Sequence, residues 1–430
     1  MLFRSDADDD FAREIKVAKR NYDRNARIPR EKIIEFVLAT SAAHEAWVKA
    51  RADNDFASFE PHLTHIFELR RQQAELFQPY EHPYDPLLNE YEPGMKTSDV
   101  RAIFAALRPR QVELLRAIAE SEQIDNSFVR QHYPFDEQRK LGTFIAGRFG
   151  YDWERGRLDL AAHPFTTSFG AGDVRITTRF LDRDGMSALF STMHETGHAL
   201  YDQGLSPKYY ETSLGQPASY AIHESQSRLW ENLVGRSREF SRFLFPVMQM
   251  LFPQHLGNVT LDQFYRGINR VEPSLIRVEA DEATYNMHIM LRFEIETGLL
   301  EGSLKASDLP EIWNSRMQEY LGVTPADDTN GVLQDVHWSS GLVGYFPTYA
   351  LGNLISAQLW EKMVAEHPEI PAAMTEGEFS QILVWLRENV HSFSSRYDPL
   401  DLVRKITGGP IDAEPYLRYL NAKYSEIYRF

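Results

Sequence analysis

The chain has 430 residues, enough for one large domain or two to three small ones, and 43% are hydrophobic, so a sizeable core is available. Its 62 acidic against 46 basic side chains give a net charge of −16, which argues against nucleic-acid or anionic-membrane partners. There is no cysteine, which excludes disulfides, thiolate metal sites and a cysteine nucleophile, and fits a reducing cytoplasm.

Residues 1–6 have no apolar signal-peptide core. The longest apolar run, 243–252, is interrupted by Pro246 and Gln249 and is too short to cross a bilayer, so a soluble protein is expected. Helical spacing of apolar residues predicts scaffold helices over 9–27, 31–52 and 56–77. In the second of these, Ile33, Ile34, Val37, Leu38 and Trp47 are the apolar positions. Residues 80–93 read as a loop punctuated by Pro83, Pro86 and Pro93. Thr97 or Ser98 can cap a helix through Leu107, and Pro109 is expected to kink the chain or separate that helix from the next. No internal repeat or low-complexity linker interrupts the sequence.

The pattern changes at Pro164. Residues 165–169, Gly170-Ala171-Gly172-Asp173 and 174–180 predict a β-hairpin. In its second arm Val174, Ile176, Thr178 and Phe180 alternate with Arg175, Thr177 and Arg179. That arm is read as an edge strand that pairs with extended substrate and, compatibly, as part of a small structural sheet with a solvated arginine face.

Directly after it, 187–203 predicts a helix carrying His194-Glu195-Thr196-Gly197-His198, with Gly204 where a C-terminal cap is expected. Residues four apart share a helix face, so both imidazoles can reach one ion. Glu195 is rotated about 100° from His194, where a general base for the attacking water belongs. Catalytic zinc takes three protein ligands, so a third is sought downstream. Glu224, 26 positions beyond His198 on a second predicted helix over 218–234, is the candidate. Its neighbour His223 is read as a packing or supporting group. Helices resume after this, with breaks at Pro246, Pro253 and Pro273, and a long helix is predicted from Pro273 to Glu296. The stretch from Asn330 to Tyr349 is rich in glycine, serine and aromatic residues and suits a pocket wall. Helices separated by Pro399, Gly408-Gly409-Pro410 and Pro415 close the chain.

Six ordered motifs lie between residues 163 and 338: His163-Pro164-Phe165, Asp173-x-Arg175-x-Thr177, His194-Glu195-x-x-His198, His223-Glu224-Ser225, Ile276-Arg277-x-x-Ala280-Asp281 and Gly331-x-x-Gln334-Asp335-x-His337-Trp338. Together they resemble the carboxypeptidase Taq family of metallocarboxypeptidases. The resemblance implies a mainly α fold, a large helical peptidase domain over 1–430 with a deep central groove and a small sheet beside the metal helix. An N-terminal helical part would occupy 1–160, the metal and substrate motifs 163–349, and C-terminal helices 350–430. It implies one divalent metal, zinc or alternatively cobalt, a cytoplasmic homodimer, and removal of C-terminal residues with broad specificity from peptides with a free C-terminus. The family normally has further N-terminal helices before the segment matching 9–27, so this N-terminus is expected to be short.

The implied chemistry is metal-assisted amide hydrolysis, with His194, His198 and Glu224 as ligands and Glu195 moving the proton. Similarity to distantly related helical zinc peptidases nominates His337 and Tyr345 as donors to the tetrahedral oxyanion, against a purely packing role for both. A terminal carboxylate calls for a guanidinium. Arg277 is the first candidate and Arg175 the second, the competing role for Arg277 being an ion pair with Glu279, Asp281 or Glu282. Two other functions share these residues: a zinc endopeptidase or oligopeptidase on a similar helical frame, and a catalytically silent helical interaction protein.

Overall fold

A computed structural model describes residues 9–430; the reading of residues 1–6 lies outside them. The fold is mainly α, with one three-stranded sheet. No described helix is long and apolar enough to cross a membrane. The chain divides into two compact units, each assembled from separated segments.

The first unit comprises residues 9–14, Ile118–Arg270 and Leu351–Phe430. It holds the sheet and the helix Ser187–Gly204, which matches the predicted metal helix. The strands are β1 (Leu158–Leu160), β2 (Thr166–Ser168) and β3 (Val174–Thr178). β2 and β3 form the predicted antiparallel hairpin, in the register Thr166 opposite Ile176 and Ser168 opposite Val174. β1 pairs in parallel on the other side of β3, Leu158 opposite Ile176. This corrects the edge-strand reading: β3 is the central strand, and its backbone is engaged on both sides. Val174 and Ile176 are buried while Arg175 between them is exposed, but Thr177, expected on the arginine face, is buried as well, so the period-2 pattern reports the buried face only over 174–176.

Pro246 does not break its helix, which runs Arg238–Leu251. Pro399 and Pro415 stand in the first turns of the helices Pro399–Thr407 and Glu414–Tyr428, where a missing N–H costs nothing. Gly204 is the last residue of its helix and is not in the left-handed region; Leu205 caps it instead. Gly204 is small for a different reason, since an added Cβ would lie 2.5 Å from His391 Nδ1.

The second unit comprises Ile15–Ala117 and Val271–Ala350. Three further expectations are corrected in or beside it. Pro109 lies inside one continuous helix, Thr97–Glu120, with no boundary. The predicted helix from Pro273 starts only at Tyr285 and runs to Glu301; the residues before it form irregular chain with one 3₁₀ turn, Arg277–Glu279. Asp281 explains the delay, because its carboxylate accepts the backbone N–H of Glu272, Ala283 and Thr284 and ties the approach into a turn. In the helix Arg30–Asp53 the buried positions are Ala43, Trp47 and Ala50, at i, i+4 and i+7. Ile33, Ile34, Val37 and Leu38, read as part of its packing face, are exposed.

The core helix Tyr285–Glu301 buries almost all its length and carries Glu296, which is fully buried. Burial pushes that carboxyl up to about 7, although Tyr84, Trp338 and the Gly344 N–H all donate to it. Those contacts tie the loop bearing His337 and Tyr345 to the core.

Candidate active site

His194, His198 and Glu224 come together in the first unit, each offering a ligand atom within 4.8 Å of the others. Glu224 Oε2 lies 3.3 Å from His198 Nε2 and 3.7 Å from His194 Nε2. A divalent ion about 2.1 Å from each of three tetrahedral ligands requires ligand atoms about 3.4 Å apart, so the set fits such an ion. Both imidazoles present Nε2 to this point because they sit one turn apart on Ser187–Gly204.

Glu224 arrives on the helix Tyr220–Arg228, started by Ser219, whose side chain accepts the Ile222 N–H. Two glycines make the approach possible. A Cβ on Gly197, inside the histidine motif, would stand 2.6 Å from Ser227 Cα. A Cβ on Gly352 would stand 2.6 Å from Glu224 Cγ. Glycine at 197 thus lets the two ligand-bearing helices close to backbone contact.

Each ligand has a partner on its far side. His194 Nδ1 lies 2.9 Å from Glu231 Oε2. His198 Nδ1 lies 2.5 Å from His223 Nδ1, whose Nε2 is 3.1 Å from Asp202 Oδ1. Arg228 Nε donates to Glu224 Oε1 at 2.6 Å, while Oε2 faces the two imidazoles and also accepts from Ser227 Oγ at 3.1 Å. Glu231 sits on a π-helical turn, Leu229–Val234, and Arg228 also reaches its Oε2 at 3.3 Å.

The protonation states of His198, Glu224 and Glu195 suit the task, whereas at His194 burial is outweighed by Glu224 and Glu231, which raise it. Burial, with His223 beside it, lowers His198 to about 4, so its ring is neutral at pH 7 and has a lone pair to give. Burial alone would raise the Glu224 carboxyl, but Arg228 and the two histidines outweigh it and hold it well below the usual range. Burial raises Glu195 above an ordinary glutamate, with His194 and the Thr166 hydroxyl pulling the other way. Thr166 Oγ1, on β2, is 2.7 Å from Glu195 Oε2 and fixes the carboxylate on the sheet side of the helix. A raised pKa makes this carboxylate a better proton acceptor than an ordinary glutamate.

The other candidates occupy the second unit, apart from Arg175. Arg277 is buried and grips Asp335 through Nε, 3.2 Å from both oxygens, and Nη2, 2.8 Å from Oδ1. Its Nη1 donates to Tyr285 at 2.9 Å. The expected local partners Glu279, Asp281 and Glu282 are therefore not the ones hydrogen-bonded to it; the partner lies 58 residues away. Arg292 Nε donates to the same Asp335 at 2.7 Å, so two guanidiniums face one carboxylate. Burial would raise Asp335, but Arg277 and Arg292 hold it far below the usual range. Among the described residues no acceptor engages the remaining N–H on each of the Arg277 Nη atoms.

His337 is buried, which lowers it to about 3 and keeps it neutral. Its Nε2 is 3.2 Å from the Tyr349 hydroxyl, and its ring packs 5.6 Å from that of Tyr345. Arg175 is exposed and forms a two-pronged ion pair with Asp173 on its own hairpin, at 2.8 and 2.7 Å.

Sequence reasoning missed Asp202, Arg228, Glu231, Thr166 and Tyr349. Three carried a signal. Asp202 continues the face of His194 and His198 at i+8, and Arg228 and Glu231 stand at i+4 and i+7 from Glu224. Thr166 and Tyr349 had none, since their partners come from other elements.

The family model described as carboxypeptidase Taq (M32) metallopeptidase matches residues 3–424. Thermostable carboxypeptidase 1 of Thermus thermophilus is 42% identical over 429 residues, covering 97% of this chain and 84% of that protein. Carboxypeptidase 1 of Bacillus subtilis is 40% identical over 424 residues, covering 98% and 85%. The crystal structure of an M32 carboxypeptidase from Deinococcus radiodurans superposes with a TM-score of 0.97 at 41% identity, covering 99% of this chain and 86% of that one.

Proposed function

The chain belongs to the carboxypeptidase Taq (M32) metallopeptidase family, whose members use a divalent metal ion, and from that premise we propose that it trims C-terminal residues from peptides with broad specificity. The ion is zinc, with cobalt as the alternative, held by His194, His198 and Glu224. The observation that carries this reading is the spacing of their ligand atoms, with a dedicated partner behind each. When bound, the ion polarises the scissile carbonyl and acidifies a water. Glu195 accepts the proton of the attacking water and returns it to the leaving amine. Thr166 holds Glu195 in that position, and Arg228 keeps one Glu224 oxygen turned away from the substrate side.

Arg277 receives the substrate's terminal carboxylate. Two guanidiniums against one carboxylate leave the cluster with a positive charge to offer, and Arg277 keeps an N–H on each terminal nitrogen for a forked contact. Arg175 is second choice, because Asp173 already occupies its fork. His337 and Tyr345 donate to the tetrahedral oxyanion. The cytoplasmic location and the homodimer rest on the family resemblance alone. Sedimentation at micromolar concentration tests the pairing, and a single species near the chain mass of 49.7 kDa would remove it.

Glu224→Ala tests the ligand set. With two imidazoles left and Arg228 reduced to its Glu231 contact, the metal content of the purified variant should fall far below one ion per chain. Metal retained with unchanged affinity would mean that Glu224 is not a ligand.

A further inference from the structure

His198 heads a chain of three side chains, His198, His223 and Asp202, drawn from two helices. Asp202 shares the helix of the histidine motif, and His223 projects from Tyr220–Arg228. The His223 and His198 rings meet edge to edge, with centroids 4.5 Å apart and planes inclined by 27°. Its Nδ1 meets His198 Nδ1 at 2.5 Å, and its Nε2 meets Asp202 Oδ1 at 3.1 Å. Asp202 is buried.

A contact between two imidazole nitrogens holds one proton, and the question is which ring supplies it. If His223 Nδ1 donated, a neutral His223 would turn a bare Nε2 lone pair toward the Asp202 oxygen. His198 would then carry its proton on Nε2, the atom that faces Glu224 and His194, and could not bind an ion. With the proton on His223 Nε2, donated to Asp202, every contact has one donor and one acceptor. His223 Nδ1 then accepts from His198 Nδ1–H, and His198 Nε2 is left with its lone pair.

We propose that Asp202, acting through His223, is a positioning device that fixes His198 in the Nε2-ligating tautomer and so tightens metal binding. Its action on the third ligand's neighbour also explains why a histidine precedes Glu224: one turn of Tyr220–Arg228 delivers both a ligand and the tautomer lock of another ligand. The inference rests on the assignment of His198 as a ligand.

The test measures the zinc dissociation constant of the full chain by competition with a chromogenic chelator. Asp202→Asn keeps the size of the side chain, but its amide can donate to His223 Nε2 and loses the preference, so affinity should fall roughly 10–100-fold. His223→Gln and His223→Leu keep the test decisive if Asp202→Asn does not fold. Glutamine can still accept the His198 Nδ1 proton and should hold affinity near the wild type, whereas leucine should lose it by the same 10–100-fold. Unchanged affinity in Asp202→Asn, or equal losses in the two His223 variants, overturns the relay while leaving the ligand set standing. Failure of the wild type to take up either zinc or cobalt overturns the ligand set, and the relay with it.

Discussion

Glu195→Gln should retain its full metal content and lose kcat by roughly 100- to 10,000-fold on a peptide with a free C-terminus. Glutamine fills the same volume and its carbonyl can still accept from Thr166, 2.7 Å from the present carboxylate oxygen, so the helix and the ligands stay in place. What it cannot do is take a proton. The measurement is metal content by atomic absorption beside steady-state kinetics on the same preparation. A variant within a few-fold of wild-type kcat would show that the proton goes elsewhere. A variant that loses its metal would show that Glu195 supports the site rather than acting in it.

Arg277→Ala carries the second large effect. Loss of a charge-assisted forked contact to the terminal carboxylate should cost about 3 kcal/mol in kcat/KM, on the order of 100-fold, for free-acid peptides. For a C-terminally amidated peptide, already a poor substrate, the loss should be much smaller. The fold should survive because Asp335 keeps its other guanidinium, Arg292, through a 2.7 Å hydrogen bond. Metal content should be unchanged. Equal losses on both peptides would make Arg277 a structural residue, and Arg175 would inherit the role. Efficient cleavage of the amidated peptide by the wild type would favour an endopeptidase or oligopeptidase instead.

The structure shows why the two arginines differ. Arg175 is exposed and spends both prongs of its fork on Asp173, two residues away, so its charge is neutralised within the hairpin. Arg277 is buried beside a second arginine with one shared carboxylate, an arrangement costly to keep unless the excess charge has a use.

The sequence by itself determined the elements with a strong period and the chemistry written along them. Four-residue spacing put His194 and His198 on one face, and the same rule, carried one step further, would have reached Asp202, Arg228 and Glu231. Alternation gave the buried face of β3 correctly over 174–176 and failed at Thr177, which is buried with its neighbours. In each case the information is local, because helix and strand geometry dictate which neighbours in sequence share a side.

What only the tertiary structure decided is who meets whom across long stretches of chain. Nothing near Arg277 in sequence announces Asp335, because several acids stand closer along the chain and periodicity does not rank them. β3 became central only when Leu158–Leu160 folded back beside it. The helix expected from Pro273 begins at Tyr285, because Asp281 binds the backbone N–H of Ala283 and Thr284, which a helix would have claimed, and that of Glu272 just before it. Ile33, Ile34, Val37 and Leu38 look like a packing face, yet Ala43, Trp47 and Ala50 are the residues buried. An apolar stripe states that a face can be buried; only the closing of the chain supplies the surface that buries it.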